Sequence, residues 1–120
     1  MALKIDVGPG KPGVARVALI GSLDSETAPQ LEKALAGVDA SIPLVSLDLK
    51  DLEYISSAGL RVIFVALKRQ QAKGGELVMV NMSPGVRKVF EIVRALPKMN
   101  VFTSVREMDE YLTAIQKRAD

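Results

Sequence analysis

The chain has 120 residues, the size of one ordinary domain, with 48% hydrophobic and 25% charged residues, so it can bury a core without metal or disulfide staples. It contains neither cysteine nor histidine, which removes thiol nucleophiles, disulfides, the commonest general base and the commonest metal ligand. Sixteen basic against fourteen acidic residues, with no Trp, two Tyr and three Phe, leave neither the basic stripe nor the stacking platform of a nucleic-acid binder, and no direct nucleic-acid contact is expected.

The N-terminus, Met1 to Asp6, lacks the charge pattern and apolar core of a signal peptide, and no apolar run has the length needed to span a bilayer. A cytoplasmic protein without membrane insertion is expected. Leu3, Ile5 and Val7 alternate with Lys4 and Asp6, which predicts a half-buried strand. Gly8 to Gly13 is turn-rich, and Val14 to Ile20 reads as a second strand that pairs with the first as a hairpin. Gly21-Ser22-Leu23-Asp24 is expected to end that strand and turn the chain. Asp24 or Ser25 can cap the helix that follows, with Pro29 in its first turn, Ala28, Leu31, Leu35 and Val38 as its apolar stripe, and Gly37 at its end.

Leu44 to Leu49 is apolar apart from Ser46 and Asp48, the pattern of a strand that is central in the sheet or covered on both faces. After Ser57, the spacing of Leu60, Ile63, Phe64 and Leu67 predicts a helix running to about Ala72, stopped at Gly74. Val62, Val65 and Ala66 widen its apolar stripe, as core or as part of a partner surface. Leu77 to Val80 is the next strand. Ser83-Pro84 opens a helix whose inward residues are Val86, Val89, Phe90 and Val93. A short strand from Asn100 to Phe102 and a last helix from Thr103 or Ser104, with Val105, Met108, Leu112 and Ile115 inward, complete the order β-β-α-β-α-β-α-β-α. The alternation argues an α/β fold in a single domain over residues 1–120.

The chemistry-bearing stretch is Ile55-Ser56-Ser57-Ala58-Gly59-Leu60, between the central strand and its helix. A serine before a helical run accepts a hydrogen bond from an early helical N–H, and either serine alone would read as such a cap. One cap suffices, so the second serine invites another use. Ala58 and Gly59 permit close backbone approach, and a helix N-terminus accommodates an anion. Asp48 and Asp51 form no catalytic pair without a base or ligands beside them. Gly8 to Gly13 lacks the Gly-Lys-Ser/Thr ending of a phosphate loop.

The run Ile55 to Leu60 resembles the signature of STAS domains, specifically bacterial anti-sigma factor antagonists. Gly21-Ser22-Leu23-Asp24, Gly74-Gly75-Glu76-Leu77, and Ser83-Pro84-Gly85-Val86 followed by Phe90 extend the resemblance over nearly the whole chain. Many members have Asp where this chain has Ser56, and the register through Gly59 and Leu60 puts Ser57 at the family's phosphorylated position.

The resemblance implies a small mixed β-sheet with helices packed mainly on one side. It further implies that the unphosphorylated chain binds a serine-kinase anti-sigma factor and releases the sigma factor. The kinase, with its own ATP, would switch the chain off by phosphorylating Ser57, and a PP2C-type phosphatase would reset it. On this reading the chain is not an enzyme and needs no cofactor. Asp24 either caps its helix or helps to hold the partner, and Ser56, Ala58, Gly59 and Arg61 join it as expected partner-binding residues. The alternative is a STAS subunit of a lipid ABC transporter or of a stressosome-like assembly.

Overall fold

The computed structural model describes residues 2–9 and 11–95. Seven elements follow in order: β1 (Leu3–Pro9), β2 (Val14–Leu23), α1 (Ala28–Ala36), β3 (Leu44–Ile55), α2 (Ser57–Ala72), β4 (Glu76–Val80) and α3 (Pro84–Ala95). The expected strand at Asn100–Phe102 and the helix after it lie outside the described residues. The sheet order is β1-β2-β3-β4. β1 and β2 form the expected antiparallel hairpin, while β2–β3 and β3–β4 are parallel, joined by crossovers through α1 and α2. This is the small mixed sheet that was expected.

Period-2 alternation sorts the strands onto two faces. Ala15, Val45 and Leu77 sit side by side across three strands, as do Val17, Leu47 and Met79. They face Leu31 of α1, Leu60, Ile63 and Ala66 of α2, and Val86 and Val89 of α3, in one apolar core. The neighbouring row, Arg16, Ser46 and Val78, points to the other face, where Arg16 lies 3.9 Å from Asp48 and Val78 is 37% exposed. β3 is therefore central, and its alternate half-buried residues show that, among the described residues, helices cover one of its faces. Phe64 and Phe90 meet edge to face, 6.3 Å between centroids, and join α2 to α3.

Two boundaries differ from the sequence reading. β3 continues six residues past Leu49, because two irregularities in its pairing with β2 carry it through the charged run Lys50 to Glu53. From Ala18 to Leu23 the chain takes five steps, while from Asp48 to Ile55, their partners, it takes seven. Each surplus residue is a bulge that resets the alternation, so inward residues fall at Leu49, Leu52 and Ile55. The Lys50 N–H displaced from the ladder bonds Asp48 Oδ1 at 3.0 Å. Asp48 also accepts from Asn81 Nδ2 at 3.3 Å, so its role is to support the sheet rather than to pair with Asp51. β2 likewise runs on through Leu23, with Gly21 at φ +108°, a conformation that side chains rarely adopt, against the Ala2 carbonyl.

Candidate functional site: the serine junction at the ends of β2 and β3

Because β2 and β3 are parallel, their carboxyl ends finish level, Leu23 beside Ile55. In parallel α/β sheets this is the edge at which loops present functional groups. The Ser56 N–H donates to the Leu23 carbonyl at 2.8 Å, the last rung between the strands. Ser56 then turns the chain: its backbone is extended (φ −98°, ψ 174°), and its Oγ accepts from the Gly59 N–H at 3.4 Å as the cap of α2. Its carbonyl accepts the first helical bond, from the Leu60 N–H at 2.9 Å. The structural reading of Ser56 as cap therefore holds.

Ser57 is the first residue of α2 and is 6% exposed, with its hydroxyl buried. No acidic residue lies in the first turn of α2, so the partial positive charge of the helix N-terminus is not offset there. Ala58 is half-buried against the core. Gly59 is buried and faces β2: a Cβ at this position would lie 2.6 Å from Leu23 Cγ and 2.8 Å from Leu23 Cδ2. Its small size thus serves the packing of α2 onto β2. Arg61 is exposed, one turn along, and leans into a shallow hollow between α1 and α2.

Asp24 follows Leu23 directly and so stands beside the junction. Its Oδ1 accepts from the Glu26 N–H at 2.9 Å and the Thr27 N–H at 3.0 Å. In return the Asp24 N–H donates to Thr27 Oγ1 at 2.8 Å. This reciprocal pair three residues apart closes the turn leading into α1; the N-cap of the helix is Thr27, without a side-chain capping bond, so neither Asp24 nor Ser25 is the cap that the sequence suggested. Thr27 is 5% exposed, and its Oγ1 also reaches the Ser22 carbonyl at 2.9 Å, tying the turn to the end of β2. The sequence reading missed Thr27. The signal was the spacing Asp24-x-x-Thr27, obscured because the third position of such reciprocal pairs is usually Glu or Gln.

The structure thus brings Asp24, Ser56, Ser57 and Gly59 to one edge, around the Leu23 carbonyl, with Ala58 beside them and Arg61 further along the same helix. Among the described residues no group of three His, Cys, Asp or Glu side chains converges to hold a metal. Among the described residues no helix is long and apolar enough to cross a membrane.

A family model described as STAS domain matches residues 8–108. A Bordetella bronchiseptica protein named as a candidate anti-sigma factor antagonist, BtrV, is 47% identical over 81 residues, 67% of this chain and 70% of that protein. Among solved structures, an anti-sigma factor antagonist from Mycobacterium paratuberculosis superposes with a TM-score of 0.71 at 24% identity, covering 96% of this chain and 95% of that one. The Bacillus cell-fate determinant SpoIIAA in its phosphorylated form superposes with a TM-score of 0.64 at 18% identity, covering 75% and 83%. At these identities the two solved structures speak for the fold.

Proposed function

From the premise that this chain belongs to the STAS domain family, we propose that it is an anti-sigma factor antagonist whose switch is Ser57. The unphosphorylated form binds a serine-kinase anti-sigma factor, the sigma factor is released, and the kinase transfers phosphate from its own ATP to the Ser57 hydroxyl. A PP2C-type phosphatase resets the cycle. The chain acts in the cytoplasm as substrate and switch, while the base and the nucleotide cradle belong to the kinase. The observation that carries the reading is the placement of the two serines: Ser56 caps α2, and Ser57 follows as the first helical residue at the level ends of β2 and β3. The 47% identity to BtrV supports the partner class.

The burial of Ser57 gives the switch a physical form. A phosphoserine carries about −1.5 to −2 charges at neutral pH, which the apolar side of the junction cannot hold. The phosphorylated side chain therefore rotates outward, where the early N–H groups of α2 and the Arg61 guanidinium offer it a favourable field. An interface fitted to the neutral, inward serine then meets a bulky dianion, and a loss of about 3 kcal/mol there weakens binding roughly a hundredfold. Asp24 holds the neighbouring edge rigid through its reciprocal bonds with Thr27 and presents its remaining oxygen to the partner. Ala58 contributes surface, whereas Ser56 and Gly59 act by fixing where that surface stands.

The test is incubation of the protein with its cognate anti-sigma kinase and ATP, followed by peptide mapping. Wild type and Ser56→Ala should carry phosphate on Ser57, Ser57→Ala should bind the kinase and stay unmodified, and Ser57→Asp should bind more weakly. Phosphate on Ser57→Ala, or its loss only in Ser56→Ala, would identify the wrong serine. Co-purification with a transporter ATPase instead of a kinase would overturn the partner class.

A further inference from the structure

A trough runs between α1 and α2, away from the buried Ser57 hydroxyl. Its floor is Val62, Val65 and Ala66 of α2 and Leu35 of α1. Val65 is 50% exposed in mid-helix, whereas Ile63 beside it is fully buried. The hollow at this point has a volume of about 130 Å³ and continues into a second of about 120 Å³ that shares Leu35, Ala66 and Arg69 and ends at Lys73. From Arg61 to Lys73 the trough follows twelve residues, about 18 Å at the rise of an α-helix.

The charges on its two rims differ. Ser57–Ala72 contains Arg61, Lys68 and Arg69 and no Asp or Glu. Arg61, Val65 and Arg69 are spaced four apart, so two cations flank the exposed valine on one stripe. Among the described residues neither arginine has a carboxylate within 4 Å, and the one ion pair found is Arg16–Asp48 on the far face of the sheet. The α1 rim instead carries Glu32.

We propose that this trough docks an amphipathic helix of a partner protein, about three turns long, with carboxylates along its flank facing α2 and a cation facing Glu32. An apolar floor between cationic and anionic rims reads a helix by its apolar face and fixes its direction by its flanks. A membrane fits less well, because the surface is concave and Glu32 opposes an anionic plane. The inference concerns a surface that meets the Ser57 switch only at Arg61, and its test needs no phosphorylation.

The probe is a helical peptide of about 18 residues with Leu on one face, Glu along one flank and Lys along the other, added to the full chain and followed by fluorescence anisotropy and amide chemical shifts. The expected result is saturable binding with shifts confined to residues 32–35 and 61–73. Binding should weaken roughly tenfold in Arg69→Glu and again in Val65→Asp, with Arg69→Glu rescued by a peptide in which only the Glu opposite position 69 is exchanged for Lys. Circular dichroism establishes that both variants remain folded. Binding that ignores both variants, or no rescue on exchange, overturns the proposal. So does tighter retention on phosphatidylglycerol vesicles than on the peptide, which assigns the surface to lipid. Nuclear Overhauser contacts between the Val65 methyls and residues 105–115 in the free chain would make the chain's own end the occupant. Ser57→Ala, tested in parallel, should bind the peptide as wild type does, so failure of the switch and failure of the trough are read separately.

Discussion

Gly59→Ala tests the geometry on which the junction rests. The new methyl would lie 2.6 Å from Leu23 Cγ, 2.8 Å from Cδ2 and 3.1 Å from the Leu23 carbonyl oxygen. Leu23 is fully buried, and the contact is with the branch point of its side chain rather than a free end. Leu23 must change rotamer against a close-packed core, or α2 must move off β2. Because the contact falls below 3.0 Å at a branch point, overpacking costs the upper part of its usual range, about 2–3 kcal/mol, while replacing helical glycine by alanine returns nearly 1 kcal/mol of helix propensity. The net expectation is a loss of about 1–2 kcal/mol, a fall in Tm of about 4–10 °C for a domain of this length. The variant remains folded at 25 °C, since native stabilities run at about 5–15 kcal/mol. Because the Leu23 carbonyl holds the Ser56 N–H, phosphorylation by the cognate kinase should slow by more than the small unfolded fraction explains. Thermal and urea unfolding with matched kinase assays measure both effects. A variant as stable as wild type would show that Leu23 yields freely and would refute the close-packing argument.

Thr27→Val keeps the shape but removes the hydroxyl that serves the Asp24 N–H and the Ser22 carbonyl, and should cost about 1–3 kcal/mol in urea titration, against under 0.5 kcal/mol for the exposed Ser25→Ala. Gly21→Ala combines a strained φ with a collision at the Ala2 carbonyl, and a Tm within 3 °C of wild type would count against the register of β1 on β2. Gln70 is buried, and its Nε2 donates to the carbonyls of Glu76 at 3.1 Å and Ile42 at 3.4 Å, so Gln70→Leu should lose about 1–3 kcal/mol and raise hydrogen exchange at the start of β4. Arg61→Ala should leave the unmodified protein as stable as wild type and lower the Tm of the Ser57-phosphorylated form relative to phosphorylated wild type; equal melting in both forms would remove Arg61 from the phosphate.

What was legible in the sequence was what periodicity and capping chemistry write locally. The boundaries of α2, the Pro84 start of α3 and the β1–β2 hairpin follow from residues within a turn of each other. The full length of β3 was not legible, because the bulges at Leu49–Lys50 and Glu53 exist only in relation to β2, and the charged run Lys50 to Glu53 imitates a loop. The turn at Asp24 was half legible: its acidic first residue was visible, but its reciprocal Thr27, which is also the residue from which α1 starts, was not. The inward aim of Gly59 depends on Leu23, far away in the chain. The burial of the Ser57 hydroxyl could not be inferred from two adjacent serines, which look alike on paper and differ by one step of backbone rotation.

The bulges of β3 have a consequence for how the chain can vary in length. Each surplus residue sits between inward positions that are three apart, Leu49 to Leu52 and Leu52 to Ile55. Removing Lys50 would restore ordinary alternation between Leu49 and Leu52 and leave every inward side chain, and the Ser56 rung on Leu23, where it is. Removing Ser46 would instead turn Leu44 and Val45 over relative to the rest of the strand. The linear distance from the core of β3 to the serine junction is therefore free to shrink by a residue while the spatial distance stays fixed. A one-residue deletion should therefore be absorbed in this charged stretch, where β3 has passed the end of its pairing with β4 and, among the described residues, keeps only β2 as neighbour.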